Sequence, residues 1–255
     1  MNRAGAIDLN ADVGEGCGSD AELVPLVSSV NIACGAHAGD ESSMLGALRL
    51  AVRHGAAIGA HPGFADREHF GRREIAVDPE EAAALVTGQA RILQALAGRL
   101  GAAVGHVKLH GALYNMASRD GALAAAIARA LARDAHGPDS GWVLVALAGS
   151  ALAQEGRRQG LRVLGEAFAD RAYRADATLV PRGEPGSVIG DESAAARQAL
   201  QIAREGSVVA RGGEVIPIDA DTICIHGDSP GAAGLARGIR REFEAAGIAV
   251  RPAGR

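Results

Sequence analysis

Lysine is almost missing from this chain. Of 26 basic residues in 255, only Lys108 is a lysine, and the other 25 are arginines. Gly-Lys-Ser and Gly-Lys-Thr therefore do not occur, which excludes a P-loop, and any nucleotide has to be held in another way. Aromatic residues make up 3%, so the core has to be aliphatic and alanine-rich. The three cysteines, Cys17, Cys34 and Cys224, are odd in number and form no Cys-x-x-Cys pair, which suits a reducing cytosol rather than a disulfide scaffold. Positive charge is not in excess either. A net charge of -4 gives no reason to expect nucleic acid or a membrane surface as partner. No apolar run approaches the ~20 residues that span a bilayer. Asp8 arrives before an N-terminal apolar run can form, so no signal peptide is expected and the protein reads as cytoplasmic.

What is present is regular. Hydrophobic residues make up 48% of the chain, enough for a sizeable core, and the length fits one domain, 1–255. Strands are expected at Ala6–Leu9, Val30–Ala33, Ala56–Ala60, Gly105–Leu109, Trp142–Leu147, Arg162–Ala167 and Thr222–Ile225, with Ile248–Val250 as a further one. Helices are expected at about Glu41–His54, Asp78–Leu100, Gly121–Arg133, Ala151–Gln159, Glu192–Glu205, and from Ser229-Pro230 to Ala246. Asp40 and Asp78 stand as N-caps, Pro79 at a first helical position and Gly101 as a stop. Val208–Ile216 reads as a hairpin around Gly-Gly, His136–Asp139 as a turn, and Gly63–Val77 as a polar loop long enough to be a lid. Strict alternation argues for a parallel sheet. Polar groups of catalytic type end nearly every strand, whereas an open sheet uses only the strand ends at one crevice. The expected fold is therefore α/β, an irregular (β/α)7–8 barrel.

The densest signal is His106-Val107-Lys108-Leu109-His110. Strand side chains alternate faces, so His106, Lys108 and His110 share one. Three ionisable groups on one buried face are hard to explain as packing. An ammonium kept where arginine is used everywhere else offers a compact charge whose pKa can fall on burial. Asp8, Asn10 and Asp12 share a face at the end of the first strand. The second strand runs into His37 and Asp40, the third ends in His61, the sixth in Glu166, the seventh in His226 and Asp228. Carboxylates and imidazoles from separate strands can hold zinc, manganese or magnesium, with Asp12, His37 and His61 as ligand candidates, or do acid/base work. Taken singly, each is explained by an Asx turn or a hydrogen-bonded core histidine. Gly14, Gly16 and Gly18 make no dinucleotide fingerprint, because the sixth position is Ser19 and Glu15 would repel a phosphate. Asp170, Arg171 and Arg182 suit a carboxylate clamp or a structural ion pair. Cys34 near His37 could be a nucleophile, but a small buried apolar residue is the simpler account. His54, His69 and His136 read as solvated.

Together these motifs resemble the LamB/YcsF family, the A subunits of bacterial ATP-dependent 5-oxoprolinases. The matching stretches are Asp8–Gly16, Asn31–Asp40 (NIACGAHAGD), Gly59–Gly63 (GAHPG), His106–Asn115 (HVKLHGALYN), Glu166–Tyr173 (EAFADRAY), Leu179–Arg182 and Ile223–Asp228 (ICIHGD). Cys17 and Ala36 replace the family's usual aromatics, and Glu41 and Leu109 its frequent prolines, which touches pocket shape more than chemistry.

The resemblance implies a fold similar to the glycoside hydrolase/deacetylase barrels. It implies conversion of 5-oxo-L-proline, ATP and water to L-glutamate, ADP and phosphate, with Mg2+ accompanying ATP and B and C subunits as partners; the Asp and His strand ends leave an additional divalent metal open beside it. On that reading Lys108 meets phosphate or a developing oxyanion, and Asp12 with His37 or His61 holds a cation or acts as base. His110 or His226 is the acid/base. Asn10, Glu166 and Asp170 bind substrate, and Arg171 or Arg182 grips its carboxylate. Two other readings stay open: a metal-dependent deacetylase or amidohydrolase working without ATP, and a non-catalytic substrate-binding subunit.

Overall fold

The computed structural model describes residues 5–134, 141–228 and 231–253. Strands β1 (Ala6–Val13), β2 (Ser29–Ala33), β3 (Ala57–His61), β4 (His106–Lys108), β5 (Val143–Leu147) and β6 (Val163–Phe168) follow one another around a parallel sheet. β7 (Ser207–Val209) and β8 (Val215–Pro217) form a separate antiparallel hairpin. β9 (Thr222–Ile225) closes the sheet between β6 and β1, with Thr222 in register with both Glu166 and Asp8. The result is a closed seven-stranded α/β barrel. The further strand, β10 (Ala249–Val250), pairs only with Ala6 and Ile7 at the start of β1, outside the closure.

Helices α1 (Asp20–Leu23), α2 (Glu41–His54), α3 (Pro79–Gly98), α4 (Gly111–Arg119), α5 (Gly121–Asp134), α6 (Ala151–Arg158), α7 (Glu192–Glu205) and α8 (Ala232–Ala245) connect or flank the strands. Their starts follow local chemistry. Asp40 accepts from Ser43 N–H while Ser43 closes a reciprocal box, and Asp78 accepts from Glu80 and Glu81 before Pro79 opens α3. Gly55 and Gly206 end α2 and α7 in the left-handed conformation. Among the described residues, no helix is long and apolar enough to cross a membrane.

Alternation along the strands sorts two cores. Leu9, Ala11, Val13, Val30, Ile32, Val107, Ile223 and Ile225 are buried between sheet and helices. Their inward neighbours are Asp8, Asn10, Asp12, Asn31, His106, Lys108 and Cys224, so the barrel interior is polar. Gly59 is the in-register neighbour of His106 on the adjacent strand. A Cβ at that position would stand 2.0 Å from His106 Nε2, so β3 has no side chain where the ring crosses.

Several expectations need correcting. β1 runs on to Val13 instead of stopping at Leu9, so Asp8 and Asn10 lie inside the barrel and not at its mouth. A helix absent from the expected set, α4, opens at Gly111 directly after β4 and buries Ala112, Leu113, Tyr114 and Ala117. The loop after β3 is tied to the start of α4, where Ala112 N–H donates to Gly71 O, and its Phe64 is buried. The turn at His136–Asp139 and the start at Ser229-Pro230 lie outside the described residues; α8 begins at Ala232.

Candidate functional site

Lys108 ends β4 in the middle of the barrel, 2% exposed. Its Nζ stands 2.8 Å from Asp12 Oδ1, 2.9 Å from Glu166 Oε1, 2.9 Å from Cys224 Sγ and 3.5 Å from Asn10 Oδ1. The cage is itself fixed. Asn31 Nδ2 donates to Asp12 and Asn10, Asn10 Nδ2 donates to Glu166 and Thr222, and Tyr114 O–H donates to Glu166 Oε2 at 2.8 Å. Burial pulls the ammonium down, but Asp12, Cys224 and Glu166 prevail and hold it well above the ordinary lysine value. The pKa that could have fallen therefore rises, and Lys108 is a fixed cation, not a poised base. Burial pushes Asp12 up, yet His61, Lys108 and His226 hold it well below the usual carboxylate range.

Beside this cage lies a cluster of imidazoles. His61 Nδ1–H donates to Lys108 O at 2.9 Å, and His110 Nε2–H donates to Phe70 O at 2.8 Å. The remaining nitrogens, His61 Nε2 and His110 Nδ1, face each other at 3.0 Å. His37 stacks on His110 with ring centroids 3.7 Å apart. Glu15 Oε1 is 3.5 Å from both His37 Nε2 and His110 Nδ1. Burial, with His61 nearby, pulls His37 down to about 3, and burial holds His110 well below its ordinary value, so both rings are neutral. Burial, then Asp12 and Asp228, pushes Glu15 well above the carboxylate range.

Beside both groups opens a cavity of about 270 Å³, lined by Asp12, His61, Lys108 and His110 together with Arg72, Arg171, Arg182 and His226. His226 Nδ1 is held by Asp170 at 2.9 Å, which leaves Nε2 as the ring nitrogen for proton transfer, and the ring stacks on Phe168. Despite burial, His226, Arg182 and Arg171 hold Asp170 below its ordinary value. Arg171 is a staple: Nε donates to Ser187 O and a terminal nitrogen donates to Val180 O, closing the loop that carries Arg182. Burial, with Arg182 beside it, pulls Arg171 down to about 10. Arg182 is half-buried and has no ion-pair partner among the described residues. Arg72 pairs with Asp228 at 2.6 Å.

The model of the LamB/YcsF family matches residues 7–255. The chain belongs to the LamB/YcsF family. The A subunit of a 5-oxoprolinase from Heliobacterium modesticaldum is 49% identical over 250 residues, covering 96% of this chain and 97% of that protein. The crystal structure of a lactam utilization protein from Thermus thermophilus superposes with a TM-score of 0.88 at 47% identity, covering 96% of this chain and 99% of that one.

Within this LamB/YcsF barrel, Asp12, Lys108, His110, His226, His61, Arg171 and Arg182 all line one cavity, with Asp170 holding His226 from behind. Asn10 and Glu166 do not line it. They lie beneath Lys108 with their hydrogen bonds filled and position the lysine. His37 sits behind the cavity wall, in contact with His110. Cys34 is buried, its thiol bonded to Ile32 O and pushed up to about 12 by burial, which suits packing and not nucleophilic attack. Of the histidines read as solvated, His54 and His69 are exposed, although His69 is bonded to Asp66, and His136 lies outside the described residues. Sequence reasoning missed Glu15, Arg72 and Tyr114. Tyr114 follows His110 by one helical turn, a signal that recognising α4 would have exposed.

Proposed function

We propose that this chain is the A subunit of an ATP-dependent 5-oxoprolinase, opening the lactam of 5-oxo-L-proline to L-glutamate together with B and C subunits. What carries the reading is the 49% identity, along nearly the whole chain, to the A subunit of a 5-oxoprolinase. The cavity supports it with a buried cation, Lys108, and with Arg182, which has no ion-pair partner among the described residues.

A five-membered lactam resists hydrolysis near neutral pH. In this reading ATP phosphorylates the amide oxygen, which makes the ring carbon electrophilic. Water adds there, the C–N bond breaks with a proton delivered to nitrogen, and the acyl phosphate hydrolyses to carboxylate and phosphate. Lys108 meets the negative charge that develops at the amide oxygen. Asp12, which lines the cavity beside His61, orients the attacking water and takes its proton. His226 delivers a proton through Nε2. Arg182 grips the substrate carboxylate, with Arg171 bracing its loop. Mg2+ comes with the nucleotide.

Lys108→Arg in the assembled complex tests the lysine's role. The cage of Asn10, Asp12, Glu166 and Cys224 closes on a compact ammonium, and a planar guanidinium does not fit it. Activity is expected to fall at least about 100-fold, and full activity would overturn the assignment. The cluster around His61 favours one rival, a metal-dependent amidohydrolase. That enzyme would act as the isolated chain without ATP, so assaying the isolated chain with and without ATP separates the two.

A further inference from the structure

Four side chains beside the cavity turn donor atoms of ligand type toward one point, all within 4.8 Å of one another. Two of their hydrogens are already committed, His61 Nδ1–H to Lys108 O and His110 Nε2–H to Phe70 O. In neutral rings this leaves lone pairs on His61 Nε2 and His110 Nδ1, which face each other at 3.0 Å. Two lone pairs at that distance repel unless a cation or a proton lies between them. Glu15 Oε1 and both nitrogens of His37 are buried with no hydrogen-bond partner among the described residues. Folded proteins seldom leave three such atoms orphaned in one place without something to satisfy them.

We propose that His37, His61, His110 and Glu15 form a binding site for one divalent first-row transition ion. Metal–donor bonds of about 2.0–2.2 Å put neighbouring donors about 3.0–3.5 Å apart. The separations here are 3.0 Å between His61 and His110, and 3.5 Å from Glu15 Oε1 to His110 and to His37. Three imidazoles and one carboxylate suit zinc, manganese or iron(II) better than magnesium. The carbonyls of Lys108 and Phe70 fix the two ring tautomers, as the partners of ligand histidines commonly do. The loop is shaped to the rings. Phe70 takes φ +55 and Gly71 φ +63, and a Cβ on Gly71 would lie 2.8 Å from His37 Cβ. Of the expected set Asp12, His37 and His61, both histidines belong to this cluster; Asp12 Oδ2 lies 3.4 Å from His61 Nε2, but the carboxylate grouped with all three imidazoles is Glu15, while Asp12 Oδ1 is committed to Lys108 and Asn31. A second cluster of Asp12, Cys224 and His226 is unsuitable, because the Lys108 ammonium sits 2.8 Å from Asp12 and 2.9 Å from Cys224 and repels a cation.

The test uses the full-length chain, stripped with a strong chelator and titrated with Co2+ as probe. One Co2+ per chain is expected, with a visible d–d band, displacement by Zn2+ and a higher thermal midpoint. Glu15→Gln is expected to weaken Co2+ binding at least tenfold, while His106→Gln, which changes a buried imidazole outside the cluster, keeps one ion per chain. Stripped, folded wild-type protein that takes up no Co2+ overturns the site without recourse to any variant. So does Glu15→Gln binding as tightly as wild type. The space between His61 and His110 would then hold a shared proton. Neither readout uses ATP or 5-oxoproline, so the metal site and the lactam reaction can fail independently.

Discussion

The lower and upper halves of the barrel interior are both polar, yet they are finished to different degrees. In the lower half, Asp8 accepts from Ser28, Ser29 and Thr222, Asn31 accepts from His106, and Asn10 spans Asn31, Glu166 and Thr222. In the upper half, Glu15 Oε1 and both nitrogens of His37 are equally buried and have no hydrogen-bond partner among the described residues. Burying a polar atom unpaired costs on the order of 1–3 kcal/mol. One half is therefore complete as a folded structure, and the other is completed by what it binds. Lys108 stands at the junction, held from below and open to the cavity above.

The largest expected effect comes from breaking the junction. Lys108→Met strands Asp12 and Glu166 as buried carboxylates without their cation, and is expected to cost ~3–5 kcal/mol in urea unfolding as well as all measurable activity of the complex. Adding Glu166→Gln should restore part of the stability and none of the activity. Next comes the upper half alone. His226→Gln is expected to lower kcat about 10²–10⁴-fold with little change in the unfolding midpoint, since it removes a proton donor at the cavity edge. Arg182→Ala should raise KM for 5-oxo-L-proline about tenfold and leave kcat nearly intact, read from steady-state kinetics.

At neutral pH the smallest effect belongs to the lower half. Burial, with Lys108 and His61 nearby, pulls His106 from its ordinary 6.5 down to about 4. Between those values the unfolded chain binds a proton that the folded one refuses, so stability falls as pH drops from 6.5 toward 4 and is unaffected by this group above 6.5. His106→Gln should flatten that slope in denaturation midpoints taken across the window. An unchanged slope would mean that the ring is not held neutral.

Much of this was legible in the sequence for local reasons. The helix from Glu41 to His54 and the one from Glu192 to Glu205 carry their caps and stops in adjacent residues, so their bounds are as expected. The shared face of His106, Lys108 and His110 follows from strand alternation, and all three are buried. Depth along the barrel axis was not legible. Whether Asp8 or Asp12 reaches the mouth depends on the stagger of β1 against β2 and β9, which no window of sequence contains. Lys108 shows the same limit. Burial alone predicts a lowered pKa, and the opposite shift comes from Asp12 and Glu166, distant in the chain. In the sequence Glu15 is only a group that repels phosphate, and its nearness to three histidines exists only in the fold.

The position of Lys108 also bears on how the protein can be observed in solution. It is the only side-chain amine in the chain and it is almost entirely shielded. Acylating reagents and amine cross-linkers therefore find no lysine on the native surface. Any lysine label acquired under native conditions reports that the barrel has opened, and its rate of acquisition times that opening without a probe having to be engineered in.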